Sequence, residues 1–475
     1  MPASITVSPK FRPALDPGFV PASLWNRAYR AAAAESGGQP LDFALERGDG
    51  SVAVFHASAL PHQGPHAALN LYYAERLLKF LLWQRGGYRV SIAGDPRIAA
   101  HLRSLYSPRG ARAFDFHFMG ESVYGHPMAV ESVSPDAFPP ERESSAPLGR
   151  HLDGYRIGFD LGASDRKCAA VAHGEVVFSE EVAWNPGAQA DPQYHFDGIQ
   201  DSLQRAAARL PRVDAIGGSA AGVYVNNEVR VGSLYRGVPG QLFETRVRRL
   251  FIDLRAAWGG IPFVVVNDGE VAALAGSMAL GDGAVLGVAM GSSTAAGFVT
   301  PQGAIASWLN ELAFAPVDYR ADGDAPADEW SGDRGVGAQY FSQQAVARLL
   351  QPAGIELPAG MPAAEKLECA QRLMAAGDER ARRIYQTIGV YFGYAIAHYA
   401  DFYEYRNLLA LGRVMTGEGG DLILSLAASV LREEFPELAA RIRFHIPGEK
   451  EKRHGQAIAA ASLPAIEAPE NRHAV

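Results

Sequence analysis

Apolar and polar positions along the chain fall into two rhythms: short runs that alternate or stay apolar, and longer stretches with apolar residues at helical spacing. Residues 1–35 start irregularly, with Pro2, Pro9, Pro13, Pro17 and Pro21, then support a helix over Ala22–Glu35. Val52–Ala57 reads as a strand. The stripe Leu69, Leu71, Tyr72, Leu77, Leu78, Leu81 and Leu82 predicts a helix over Ala67–Gln84. Tyr88–Ala93 reads as a strand, and Asp95 followed by Pro96 starts a helix through Leu105. The run Phe114-Asp115-Phe116-His117-Phe118-Met119 alternates like a strand with one face in a core. Pro135–Leu148, rich in proline, serine and acidic residues, reads as a linker.

Beyond it the pattern changes. Arg156–Asp160, Lys167–Ala172 and Glu175–Val182 predict a three-stranded meander turning at His173-Gly174. A helix over His195–Leu210, a strand over Asp214–Ser219, a helix over Phe243–Trp258 and a strand over Phe263–Val266 follow. Asp268 opens a helix to Leu280. Val285–Met290 and Ala295–Val299 are strands, and Pro301-Gln-Gly303 turns into a further short one. Tyr340–Leu350, Ala363–Ala376 and Asp378–Arg406 read as helices, Leu408–Leu411 as a strand, Asp421–Glu434 as a helix and His454–Leu463 as a last one. Four strands end in small, acidic or glycine-rich turns, at Asp160, Asp268, Gly291 and Gly412. Such turns let backbone N–H groups approach an anion, and the aspartates can hold a metal or take a proton.

Composition narrows this. The 475 residues exceed one typical domain, and 48% apolar with 20% charged residues is globular. A net charge of −8 gives no global reason to expect nucleic-acid binding, and residues 1–150 are barely basic, with 15 Lys and Arg against 13 Asp and Glu. Cys168 and Cys369 are the only cysteines, which excludes a disulfide framework and suits a reducing cytoplasm. No apolar run approaches the roughly 18–20 residues of a membrane span, and Met-Pro-Ala-Ser-Ile-Thr has no signal-peptide pattern. His56, His62, His66, His101, His117 and His126 fit no metal-ligand spacing.

A meander followed by αβ units, given twice around a cleft, is the arrangement of actin-like and hexokinase-like ATPases. From about Tyr155 to Leu463 the chain resembles the ROK family of sugar kinases and repressors. Gly158-Phe-Asp160-Leu-Gly162-Ala-Ser164 resembles the family's first phosphate motif, D-x-G-G-T, with Ala163 and Ser164 for Gly and Thr. The resemblance implies that Asp160 acts on Mg²⁺, directly or through water, and that Gly162 and Ser164 admit phosphate oxygens. Asn267-Asp268 resembles N-D-A-N, which implies Asp268 as general base and Asn267 as a sugar ligand; Glu270 replaces the second asparagine. Gly291-Ser292-Ser293-Thr294 lies where the second phosphate loop would be, with Ser293, Ala295 and Ala296 for glycines. Leu411 to Gly420 resembles the adenosine motif and implies nucleotide packing at Gly412, Gly417, Gly419 and Gly420. His454-Gly-Gln-Ala-Ile-Ala-Ala-Ala461 resembles the closing helix. Asn310-Glu311 through Asp318 resembles the sugar-binding G-E-I-G-H motif and implies Glu311 as a substrate ligand. The zinc-ligand positions of the family carry Phe314, Glu329, Ser331 and Val336, and its second sugar glutamate is Ala338, so no zinc is expected here.

The resulting expectation is an α/β, two-lobed actin-like (ribonuclease H-like) ATPase fold with an extra N-terminal α/β module. The expected division is 1–134 for the module, 135–150 for a linker, 151–300 for the first lobe and 301–475 for the second. The implied activity is ATP-dependent phosphorylation of a sugar hydroxyl, with ATP and Mg²⁺ required, in a cytoplasmic protein without nucleic-acid or membrane partners; a homodimer is compatible with it. A non-catalytic sugar- or nucleotide-sensing regulator is the alternative, and a sibling ATPase or phosphatase a third. Lys167 is expected on a solvent-facing strand face, and Asp268 has a second possible role as a helix N-cap.

Overall fold

Strand alternation and short turns build three main sheets in the computed structural model, whose described residues are 5–144, 146–320, 323–446 and 449–466. Strands β1 (Gln39–Glu46), β2 (Val52–Ala59), β3 (Arg89–Ala93) and β4 (Ala129–Ser132) form the first, ordered β2-β1-β3-β4. The second contains β5 (Tyr155–Leu161), β6 (Asp165–Ala172), β7 (Glu175–Ala183) and β8 (Ala215–Ala220). A hairpin of β9 (Val223–Val225) and β10 (Glu228–Val231) follows, and β11 (Phe263–Asn267) then completes the second sheet, ordered β11-β8-β5-β6-β7. The third joins β12 (Val285–Met290), β13 (Thr294–Val299), β14 (Asn407–Leu411) and β15 (Arg443–His445) in the order β13-β12-β14-β15.

The second and third sheets share one topology. In each, a central strand pairs antiparallel with its successor and parallel with later strands: β5 with β6 and β8, β12 with β13 and β14. An isolated bridge from Val299 to Ile305 stands where the third sheet would need its third meander strand. Two similar lobes are therefore present.

Helix Asp268–Leu280 leaves β11 and packs on β12 and β13. The last helix, Glu449–Ala461, returns to β5 and β8. That return is possible because both strands carry glycine where the helix crosses. A Cβ on Gly158 would lie 1.7 Å from the Ala457 carbonyl, and one on Gly217 would lie 1.7 Å from that of Ala460. No helix among the described residues is long and apolar enough to cross a membrane.

The N-terminal segment does not stand apart. Phe43, Leu77, Phe80 and Trp83 belong to the same apolar core as Leu286, Phe298, Phe392 and Ile396. Helix His66–Arg85 runs through it, and helix Ala22–Glu35 packs on Glu379–Tyr399. Strands β1 and β4 and the β9–β10 hairpin were not expected; β1 does alternate, with Leu41, Phe43 and Leu45 buried and Asp42 and Glu46 on the other face, a signal the sequence reading passed over, and the other three are too short to show one.

Phe114–Met119 is not a strand. Ala113–His117 is helical and continues as a π-helical turn over Phe118–Tyr124. Helical spacing puts Phe114 and Phe118 on one side, 5.8 Å apart, and both rings meet Trp83. The turn between them buries Asp115 completely. Its carboxylate accepts from Lys79 Nζ at 2.9 Å and from the Trp83 indole N–H at 2.8 Å. Lys79 also bonds Asp333, as does Arg112, and Arg112 reaches Glu75 at 2.6 Å. The N-terminal segment is thus fastened to the loop at Asp333 by a buried ionic knot.

A buried charge left without its partner costs about 3–5 kcal/mol. We expect Lys79→Met to lower unfolding stability by about that amount in urea titrations, and Lys79→Met with Asp115→Leu to recover part of it. A single mutant within about 1 kcal/mol of the parent would show that the knot contributes little.

Candidate active site

Asp160 closes β5. Parallel register sets it beside Ser219 of β8, and antiparallel register sets it beside Lys167 of β6. The Ser219 hydroxyl donates to its Oδ1 at 2.6 Å. Burial raises the Asp160 pKa, while this bond and the Lys167 charge oppose the rise. Lys167 is half-buried and turned toward these acids, with its ammonium 3.3 Å from Asp165, so the expectation of a solvent-facing residue is corrected. The turn after Asp160 is closed by Gly162 N–H donating to the Asp165 carbonyl at 2.9 Å. Ser164 is exposed, but its hydroxyl donates to the Asp165 carboxylate at 2.9 Å.

Asp268 begins the helix after β11. Its capping residue is Asn267, whose Oδ1 accepts from Gly269 N–H at 2.8 Å while its Nδ2 donates to the Gly222 carbonyl at 2.8 Å. The N-cap role considered for Asp268 therefore belongs to its neighbour. Part of the Asn267 amide is thereby committed to structure, although the residue still lines a cavity. The Asp268 carboxylate accepts a helix-start N–H from Gly269 at 3.0 Å. Burial, and then the Asp160 charge, push its pKa up to about 6.

Two further acids lie close. Burial and the Asp268 charge push Glu311 up to about 8. Burial raises Glu270 to about 8, the Glu311 charge adding to the rise and a bond from Asn310 Nδ2 at 3.1 Å opposing it. At neutral pH both are therefore mostly protonated and can donate as well as accept hydrogen bonds. Glu311 is held from the N-terminal segment: its N–H donates to the Trp83 carbonyl, and that of Asn310 to the Gln84 carbonyl, each at 2.9 Å.

Two cavities flank Asp268. One, of about 510 Å³, is bounded by Asn267 and Glu270 on one side and reaches Arg47, Asp49, Asn226 and Ser307. The other, of about 250 Å³, is lined by Asp268 itself with Ala272, Gly276, Ala289, Ala295 and Gly412. Gly412 has φ +94°, and a Cβ there would lie 2.4 Å from the Met290 carbonyl, so the ends of β12 and β14 meet closely. At the β12–β13 turn Gly291 N–H bonds the Ser293 carbonyl at 2.9 Å, and Ser292 and Ser293 are exposed. Thr294 is buried and its hydroxyl donates to the Phe341 carbonyl at 3.0 Å, which removes it from the expected phosphate contacts.

Gly417 and Gly419 line a separate cleft of about 270 Å³ with Gln371 and Tyr385, where helix Gly417–Glu434 begins. Gly420 is also removed from the expected contacts. It is packed inward, and a Cβ on it would lie 2.0 Å from the Met415 carbonyl. Among the described residues no group of three or more His, Cys, Asp or Glu side chains could hold a metal ion. Ser219 and Asp165 escaped the sequence reading. Strand register would have supplied Ser219, and Asp165 follows Ser164 directly.

No family model and no curated protein sequence matches the chain. Solved structures do. A ROK hexokinase from Thermus thermophilus aligns at 18% identity and a TM-score of 0.51, covering 64% of this chain and 97% of that one. A ROK family transcriptional regulator, a homologue of the E. coli MLC protein, aligns at 18% identity and a TM-score of 0.50, covering 66% of this chain and 79% of that one. The fold is therefore the α/β, two-lobed actin-like fold of ROK proteins, in agreement with the motifs.

The raised acids carry a sign. Asp268, Glu270 and Glu311 all have folded pKa values above their ordinary ones, so the folded state holds more protons. The stability this gives is complete below about pH 4 and is lost as pH rises toward about 8. We expect the melting temperature of the free protein to fall across that range. Glu270→Gln, which keeps an acceptor for Asn310, should flatten the fall and raise the melting temperature at pH 8. A lower value for the mutant at pH 8 would refute the assignment.

Proposed function

We propose that the protein is an ATP-dependent kinase that phosphorylates a hydroxyl of a sugar or sugar derivative. The observation that carries this reading is Asp268, a carboxylate pushed up to a pKa of about 6, between a large cavity whose mainly apolar wall carries a few polar groups and a small-residue cleft. A base must be ionised at working pH and yet accept a proton as attack proceeds, and such a value meets both needs. The sugar would occupy the cavity at Asn267, with the neutral carboxyls of Glu270 and Glu311 giving and accepting hydroxyl hydrogen bonds.

The ATP phosphates would enter from the cleft, toward Gly162, Ser164, Gly291, Ser292, Ser293 and Gly412. The adenosine would lie toward Gly417, Gly419 and Tyr385. Mg²⁺ binds through one or two carboxylates and substrate phosphates rather than an all-protein cage, which suits Asp160. When bound, the ion would supply charge neutralisation on the transferring phosphoryl group. Asp268 takes the hydroxyl proton, and Lys167 balances the charge of Asp160. Closure of the lobes would exclude water, a competing acceptor.

One observation favours a second reading, that of a sugar- or nucleotide-sensing regulator without catalysis. Ser164 gives its hydroxyl to Asp165, a carboxylate at the mouth of the first loop, and Thr294 gives its own to Phe341. The hydroxyl of the first loop and the threonine of the second are thus already engaged, which leaves Ser292 and Ser293 as the exposed hydroxyls at the phosphate loops.

ADP release from Mg·ATP over a panel of sugars separates the two. For the kinase, kcat/KM should rise with pH through about 6 as Asp268 ionises, and fall above about 8 as Glu270 and Glu311 do. Asp268→Asn should reduce kcat by about 10²–10⁴. Sugar or nucleotide binding with no turnover at any pH would leave the sensor.

A further inference from the structure

We propose that the large cavity takes a two-ring, uncharged, hydroxyl-rich ligand, a disaccharide or glycoside, whose outer ring is held by Arg47 and Asp49 of the N-terminal segment together with Arg255 and Ser307. The proposal rests on the sugar reading above and names the class of sugar.

Size comes first. The cavity of about 510 Å³ lies well inside the range of roughly 300–1,000 Å³ for small-molecule sites and leaves room beyond a single pyranose. Its two ends differ. The inner end is Asn267 and Glu270, next to Asp268. The outer end is built by Arg47 and Asp49, at the turn from β1 to β2, together with Arg255 and Ser307. A ring placed for attack at Asp268 does not account for the outer end.

The outer end has unmet hydrogen-bonding capacity. The Arg47 side chain is 3% exposed and bonds Glu143 through one terminal nitrogen, at 2.9 and 2.8 Å. Its Nε is buried without any partner. A buried donor left unmade costs about 1–3 kcal/mol, which a ligand hydroxyl would relieve. Arg255 is exposed on the cavity wall and has no side-chain partner among the described residues. Asp49 accepts from Ser51 N–H at 2.9 Å and from the Ser307 hydroxyl at 3.3 Å, with lone pairs remaining.

Charge selects against an anion. Arg47 is matched by Glu143, Asp49 and Arg255 bring one charge of each sign to the lining, and Glu270 is mostly neutral at pH 7. Mixed donors and acceptors of nearly balanced charge fit hydroxyls better than a phosphate or carboxylate.

Calorimetric titration of the full chain without nucleotide tests this, using glucose, mannose and N-acetylglucosamine against maltose, cellobiose, trehalose and gentiobiose. At least one disaccharide should bind about tenfold or more tightly than its component ring, the worth of one or two added hydrogen bonds. Arg255→Ala, and Ser307→Trp to fill the outer end, should each cut that ratio to about threefold or less, with melting temperatures confirming that both variants fold. Equal affinities for one ring and two, a ratio that survives both substitutions, or no binding by any sugar would overturn the proposal. Disaccharide binding without ADP formation would remove the kinase and leave this inference standing. Phosphorylation of single rings only would do the reverse.

Discussion

The end of helix His66–Arg85 is the constraint on which the site depends. The last carbonyls of a helix have no partner inside it. Here those of Trp83 and Gln84 take the N–H groups of Glu311 and Asn310, and Gly86, at φ +76°, closes the turn onto Leu82. Asn310 is held at φ 53°, a backbone region that costs an ordinary residue about 1–3 kcal/mol unless its surroundings fix it. They do so here: its Nδ2 bonds Glu270, and its Oδ1 accepts from Tyr403 at 2.9 Å. A helix outside the two lobes thus sets one acid by backbone and a second through one amide.

That arrangement explains why three carboxyls coexist around one spot. Glu270 is buried and the other two are half-buried, and each ionisation makes the next harder, so protons stay on Glu270 and Glu311 while Asp268 ionises first. A site of this kind is poorly suited to a cation cage and well suited to hydroxyl groups, which can fill both donor and acceptor positions. The cost is stability at high pH. A bound polyol would offset part of it by replacing the lost hydration.

The strands and long helices of the two lobes were legible because their periods are strong. Asp95, Pro96 and the stripe from Leu69 to Leu82 placed two N-terminal helices almost to the residue. The strand-end positions of Asp160, Asn267 and Asp268 were legible from the apolar runs before them, while the roles suggested for them came only through the family motifs. Glu311, in a loop, was legible only through the family motif. What failed was tertiary. Phe-Asp-Phe-His-Phe satisfies both an alternating and a helical pattern, and only the demand of buried Lys79 for Asp115 decides between them. Thr294 and Gly420 look like ligand contacts in one dimension and turn inward in three. Arg47 and Asp49 gave no signal because their cavity joins segments far apart in sequence.

The loop from Asn310 to Tyr340 shows how such a long-range arrangement alters the logic of a site. The family resemblance puts zinc ligands at positions that here hold Phe314, Glu329, Ser331 and Val336. A closed metal site orders a loop from within, by four short bonds. In this chain Phe314 lies between Trp83, at 4.6 Å, and Trp330, at 5.1 Å. Asp328 accepts from the backbone of Trp330 and Ser331, and Asp333 is gripped by Lys79 and Arg112. Most of those partners come from the N-terminal segment. The order of the loop, and with it the position of Glu311, therefore depends on a neighbouring segment being docked. The segment that fixes Glu311 also walls the outer end of the large cavity. Loop order and cavity shape thus depend on one packing event, so a change in either should be felt in the other.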